Sequence, residues 1–230
     1  MRLTRRLAAL SSLAAVAGLA VPRGLRAQEG WYPLKDAAGR PIQNFRLPIE
    51  LQTEIMALEN AVTFGARLAD VTIIEVFDSN CPYCRVAARD VTQMMARDRE
   101  LAVTIINAPS LGLPSVLAAR VEYAVKVLGG VDKARAFHEA SMRARGLFDG
   151  LRALDLAADL GLDRKAVEDL ADRPESGRVV AQAVRLANAS NLAATPSWLI
   201  AGTAVIGWPG RPTMEAIVGS IRDCDKPVCT

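Results

Sequence analysis

Hydrophobic and polar positions alternate between two periods along this chain, and the switches mark its elements. Val71-Thr72-Ile73-Ile74-Glu75-Val76-Phe77 is β-branched and apolar enough to predict a buried strand. After the polar turn Asp78-Ser79-Asn80 and Cys81-Pro82-Tyr83-Cys84, the period becomes helical. From Arg85 to Arg97, Val86, Ala87, Val91, Met94 and Met95 recur at helix spacing. Ala61-Val62-Thr63-Phe64 predicts a first strand, and Leu101 to Asn107 another that ends at Ala108-Pro109-Ser110. Strand, helix and strand at these lengths make a βαβ unit.

From Leu113 to Asn191 the pattern stays helical. Helices are expected over 115–128, stopped by Gly129-Gly130, and over 132–145, with Asp132 as cap and Gly146 as stop. A third covers 151–160, Asp163 opens a short one, and 175–188 is the last. Sheet character returns in Pro196 to Ile200 and Ala204 to Ile206, a hairpin turning at Ala201-Gly202-Thr203, and 212–221 predicts a closing helix. Residues 28–60 read as an N-terminal arm with turns near Trp31-Tyr32-Pro33 and Gly39-Arg40-Pro41 and a short helix within 48–60; either it packs on the domain or it mediates dimerisation. The fold class is α/β, with a core of 61–112 and 192–223 interrupted by an all-helical subdomain of 113–191, and a C-terminus of 224–230.

The N-terminus changes the picture of charge. Arg2, Arg5 and Arg6 precede an uncharged apolar run from Leu7 to Val21, and Leu25-Arg26-Ala27 supplies a cleavage site with Leu25 larger than the ideal. Residues 1–27 therefore read as a signal peptide, the run being short for a membrane span. Thr4-Arg5-Arg6 leaves general and twin-arginine export both open. Cleavage removes five arginines and no acids, so the formal charge falls from +3 by five, to −2. No basic patch then remains to attract nucleic acid. A mature chain of about 200 residues can bury a core of its own, and no membrane insertion is expected once the signal is removed.

Four cysteines in an exported chain suggest two disulfides. Of the three possible pairings, local spacing favours Cys81–Cys84 and Cys224–Cys229. One histidine and two distant cysteine pairs do not match zinc-ligand spacing, so no metal is expected. A Cys-x-x-Cys pair at a strand-to-helix junction fits redox chemistry. Backbone N–H groups and the positive end of the helix dipole stabilise a thiolate on Cys81, and Pro82 suits the first turn because its missing N–H has no helical partner there. Cys81 is then the exposed nucleophile and Cys84 the more buried resolving thiol. Cys224 and Cys229, with Pro227 between them, read as a structural staple on a terminus that would otherwise fray. His138, mid-helix, is given no catalytic role. Trp198 is expected in the core and Trp208 at a groove edge.

Val71 to Arg85, the helical insertion, and Ala194-Thr195-Pro196 before a hairpin together resemble the DsbA-like branch of the thioredoxin superfamily, over roughly 61–222. The Cys-Pro-Tyr-Cys sequence is like that of isomerase-like and ScsC-like exported members. The resemblance implies a thioredoxin fold with an inserted helical subdomain. It makes Pro196 a cis-proline facing the cysteines, and Thr195 a backbone partner for an extended substrate segment. Pro82 and Tyr83 join Thr195 in meeting the substrate. Glu75 matches the family's buried acid, with a raised pKa and a proton relay to Cys84. The implied protein is a periplasmic thiol:disulfide oxidoreductase acting on cysteines of exported proteins, with no cofactor beyond the Cys81–Cys84 disulfide. A membrane redox partner, either a quinone-linked oxidase or an electron-donating reductase, resets it. The favoured direction is dithiol oxidation. Disulfide isomerisation or reduction is the alternative, and a non-catalytic peptide-binding chaperone is the alternative from another class.

Overall fold

The computed structural model describes residues 31–229, so the signal-peptide expectation for 1–27 lies outside the described residues. Six strands form one sheet, β1 (Asn44–Arg46), β2 (Val62–Gly65), β3 (Val71–Phe77), β4 (Leu101–Asn107), β5 (Ser197–Ile200) and β6 (Thr203–Ile206), in the order β1-β6-β5-β3-β4-β2. Only β3 and β4 pair in parallel; the other neighbours are antiparallel. The helix α2 (Pro82–Arg97) connects the parallel pair, as a parallel crossover requires.

Strand β3 lies at the centre and is covered on both faces, which is why it reads as a near-continuous apolar run. Ile73 and Phe77 point to a core shared with α2 and α7 (Arg211–Cys224), while Ile74 and Val76 point to a second core under α1 (Ile49–Met56) and α6 (Pro174–Ala189). A third cluster, around Phe137, Phe148 and Val167, belongs to the helical region between β4 and β5. That region contains α3 (Leu113–Arg143), α4 (Gly150–Asp159), α5 (Arg164–Asp172) and α6.

The expected pair of helices over 115–145 is one continuous element, α3, broken at Gly130, whose φ of 72° and ψ of −172° are not helical. A residue with a Cβ would be strained there, and the two glycines mark the bend. The arms before and after it fold against each other, bringing Glu122 and His138 within 3.8 Å. Asp163 caps α5 by accepting from the Ala166 N–H, and Asp149, which the sequence pattern did not mark, caps α4 through the Arg152 N–H.

The N-terminal arm packs on the domain. Its residues Asn44 to Arg46 also add the edge strand β1 to β6, with Asn44 opposite Val205. At the end of the sheet away from the cysteines, Arg222 of α7 bonds both Asp70, just before β3, and Asp98, just after α2.

Candidate redox site

The site forms where β3 ends. The Cys81 N–H donates to the Asp78 carbonyl at 3.0 Å, and Cys81 caps α2, whose first helical bond runs from the Arg85 N–H to the Cys81 carbonyl at 3.2 Å. Pro82 occupies the first turn, where no N–H is needed. Cys84 follows one turn in, on the buried face of α2. Both cysteines are free thiols here, whereas Cys224 and Cys229 are joined by a disulfide. The Thr195–Pro196 peptide bond is cis, and the Thr195 carbonyl lies 3.2 Å from the Cys81 sulfur, which donates to it when protonated.

This contact corrects one expectation. Cys81 is 4% exposed, so it is not an open nucleophile; the Thr195 segment covers it, while Cys84 is fully buried. Tyr83, by contrast, is 70% exposed at the mouth of the site.

The two thiols are driven apart electrostatically. Cys81 is lowered to about 5, chiefly because the Cys84 thiol donates to its sulfur; the Thr195 side chain and the N–H groups of Cys84 and Tyr83 add to this against the cost of burial. Cys84 is pushed strongly upward by burial, by its bond to Cys81 and by the nearby Glu75 charge. One sulfur is therefore ionised at neutral pH and the other holds its proton. Glu75, between Ile105 and Trp198 in the centre of the sheet, is 1% exposed, which excludes a solvated strand edge. Burial and then the Cys81 charge raise it to about 8. Its Oε1 has no hydrogen-bond partner, and it lines a cavity of about 260 Å³ together with Phe64, Thr92, Met95 and His138.

The loop before Cys81, expected only to turn the chain, is a hub. Asp78 is fully buried and accepts from the N–H groups of Asn80, Ser110 and Leu111 and from the Ser115 hydroxyl, at 2.7 to 2.9 Å. Asn80 donates to Ser115 and to the Phe148 carbonyl and accepts from the Phe148 N–H. Asn107 donates to the Ser79 hydroxyl at 3.1 Å, and Arg85 to the carbonyls of Ser79 and Gly146. These bonds tie the redox loop to β4 and to the helical region. The sequence signal for them was thin: a polar triplet after a buried strand, whose partners lie up to 68 residues away. Trp198 is fully buried as expected, and the half-buried Trp208 packs 5.1 Å from it, donating to Asp90 at 3.1 Å.

Among the described residues there is no cluster of three or more potential metal ligands, and no helix is long and apolar enough to cross a membrane.

The thioredoxin family profile matches residues 57–220. No curated protein matches the chain. Solved structures do: a thioredoxin-like oxidoreductase from Silicibacter pomeroyi DSS-3 is 30% identical, covering 75% of this chain and 98% of its own, with a TM-score of 0.67. The thiol-disulfide exchange protein α-DsbA2 from Wolbachia pipientis is 21% identical over 75% and 92%, with a TM-score of 0.68. The catalytic domain of Proteus mirabilis ScsC is 19% identical over 75% and 94%, with a TM-score of 0.66. With its mixed sheet, its inserted helices and a family profile spanning most of its length, the chain belongs to the thioredoxin family and shares the fold of DsbA-like and ScsC-like proteins.

Proposed function

We propose that this protein is a periplasmic thiol:disulfide oxidoreductase that oxidises cysteine pairs of exported proteins through Cys81 and Cys84. The observation that carries the reading is the placement of the sulfurs: Cys81 caps the N-terminus of α2 beside the Thr195–Pro196 segment, and Cys84 lies one turn in on the buried face. This arrangement lowers Cys81 to about 5 and pushes Cys84 up. A thiolate that is stable in the reduced enzyme is a good leaving group and a weak reductant, so electrons collect on this pair.

In the oxidised enzyme, a substrate thiolate attacks the Cys81 sulfur. The Cys81–Cys84 bond breaks, and Cys84 leaves with the electron pair. Its strongly raised pKa demands a proton, which the neutral Glu75 carboxyl supplies and then recovers from water entering the adjoining cavity. A second substrate thiolate attacks the substrate sulfur of the mixed disulfide and releases Cys81 as a thiolate. The substrate leaves with a disulfide, and the enzyme keeps two electrons and one proton on Cys84. The half-buried Thr195, beside Cys81, is the segment for strand-like pairing with an extended client, with Tyr83 and Pro82 at its side. Leu111 and Leu147, 52% and 57% exposed, sit on segments bonded to the redox loop and offer apolar contact to an unfolded protein. A membrane redox partner reoxidises the pair, and a quinone-linked oxidase suits this direction.

Replacing Cys81 with Ser tests the chemistry. Exchange with a dithiol peptide and with insulin should fall to the uncatalysed level; persistence of either at the wild-type rate would leave a peptide-holding protein. Thiol trapping in cells and the reduction potential test the direction. A pair found reduced at steady state, with a potential near that of the cellular reductants, would make the protein an isomerase or reductase.

A further inference from the structure

A second buried carboxyl lies behind the redox loop, and the chemistry above does not use it. Glu122, on the first arm of α3, is 5% exposed. Its Oε2 accepts from the Asn107 side-chain amide at 2.5 Å, and the same nitrogen donates to the Ser79 hydroxyl at 3.1 Å. Ser79 stands two residues before Cys81, with its carbonyl held by Arg85. On the other side, Glu122 Oε1 is 3.8 Å from the buried Nδ1 of His138, an atom without a hydrogen-bond partner, and the imidazole packs edge-to-face with the Phe77 ring at 4.6 Å between centroids. A continuous path therefore runs from the second arm of α3 through Glu122 and Asn107 to the loop that presents Cys81. An apolar side chain at 122 would fill the space at less desolvation cost, but it would leave an Asn107 N–H unpaired in the core.

We propose that Glu122 is a positioning residue for the thiol–disulfide reaction: it fixes the Asn107 amide, which in turn holds Ser79 and the start of α2, while His138 closes the carboxyl off from water. The inference rests on Cys81 being the nucleophile.

The arrangement carries a pH dependence. Burial raises Glu122 to about 7, opposed by the Asn107 bond. The groups facing it are Asn107 from β4, which has no charge, and His138 from the second arm, which burial pushes down to about 3 and so keeps neutral. Below about 7 the carboxyl is a neutral, weaker acceptor; above it the carboxylate grips Asn107 through a charge-assisted bond. Glu75 titrates separately, at about 8, under the influence of Cys81.

The test is a titration of the reduced mature protein followed by amide NMR at Ser79, Asn80 and Cys81, with Cys81 alkylation rates over the same range. Wild type should show a step centred near 7, with a change of about threefold in alkylation rate across it. Glu122→Gln keeps an acceptor oxygen for Asn107 but cannot ionise. It should abolish that step and hold Cys81 alkylation near the wild type's low-pH level across the whole range, whereas Glu75→Gln should leave the step in place. A wild-type protein without the step, or a step that survives in E122Q, overturns the proposal. Loss of exchange in Cys81→Ser alongside a step that ignores E122Q would remove the role of Glu122 alone. Exchange that survives Cys81→Ser would remove the nucleophile itself.

Discussion

The protein places two cysteine pairs at opposite ends of helices, and the ends decide their chemistry. Cys81 caps the N-terminus of α2, where free N–H groups and a neighbouring thiol stabilise its negative charge. Cys224 is the last residue of α7, and its sulfur and that of Cys229 lie 3.1 and 3.4 Å from the Ser220 carbonyl oxygen. A thiolate there would face the negative end of a helix dipole and a carbonyl lone pair. It would be a poor leaving group, so the Cys224–Cys229 bond suits a staple, while Cys81 suits exchange. Position along a helix, more than spacing in sequence, separates the proposed catalyst from the clamp.

The largest expected effect tests the ionised half of that contrast. Cys81 falls from an ordinary value of 9.0 to about 5 in the folded protein. Because the folded value is depressed, the stability it lends to the reduced form is complete above about 9 and is lost as pH falls through about 5. Glu75, raised partly by the Cys81 charge, offsets some of this. The reduced protein should gain about 3 kcal/mol over a Cys81→Ser variant between pH 5 and pH 8. Chemical denaturation at several pH values reads this directly, and a flat difference would mean that the thiolate is not stabilised by the fold. Removing Cys84 sharpens the point. Its thiol is the leading support of the Cys81 anion, so Cys84→Ala should move the midpoint of Cys81 alkylation upward from about 5. An unmoved midpoint would assign the whole effect to the helix end.

A comparable loss is expected where the redox loop is anchored. Asp78→Ala leaves the N–H groups of Asn80, Ser110 and Leu111 and the Ser115 hydroxyl without their buried acceptor. The cost should be about 3 kcal/mol in denaturation, with exchange slowed as well, because the lost carboxylate fixes the backbone whose carbonyl receives the Cys81 N–H. A variant as stable as wild type would show that water replaces the carboxylate at no cost.

How much of this could be read from the residues depends on whether the signal was local. The strand, the Cys-Pro-Tyr-Cys junction and the helices from 113 to 191 follow from periodicity, since each pattern lies within one element. Glu75 stood out as a single acid in an apolar run and is indeed buried. Strand β1 did not stand out, because three residues with one buried side chain carry no period. Asp78, Ser79 and Asn80 looked like any polar turn; their importance comes from partners 28 to 68 residues away. Glu122 and His138 meet only because α3 bends at Gly130, and the shielding of Cys81 needs the Thr195 segment to fold back over it. Such contacts are products of the topology, which composition and spacing do not encode.

The smallest effect concerns the other pair. The Cys224–Cys229 bond closes a loop with a sequence separation of 5. In the chain-entropy account so short a loop restrains the unfolded state little, and removing it should cost about 2 kcal/mol. Arg222, two residues before Cys224, still holds Asp70 and Asp98 without it. Replacing both Cys224 and Cys229 with Ser should therefore lower the denaturation midpoint modestly and leave the peptide-exchange rate unchanged, since the staple lies at the end of β3 and α2 away from Cys81. A drop in exchange larger than the loss of folded protein would mean that this terminus communicates with the redox loop, and the separation of catalyst from clamp would fail.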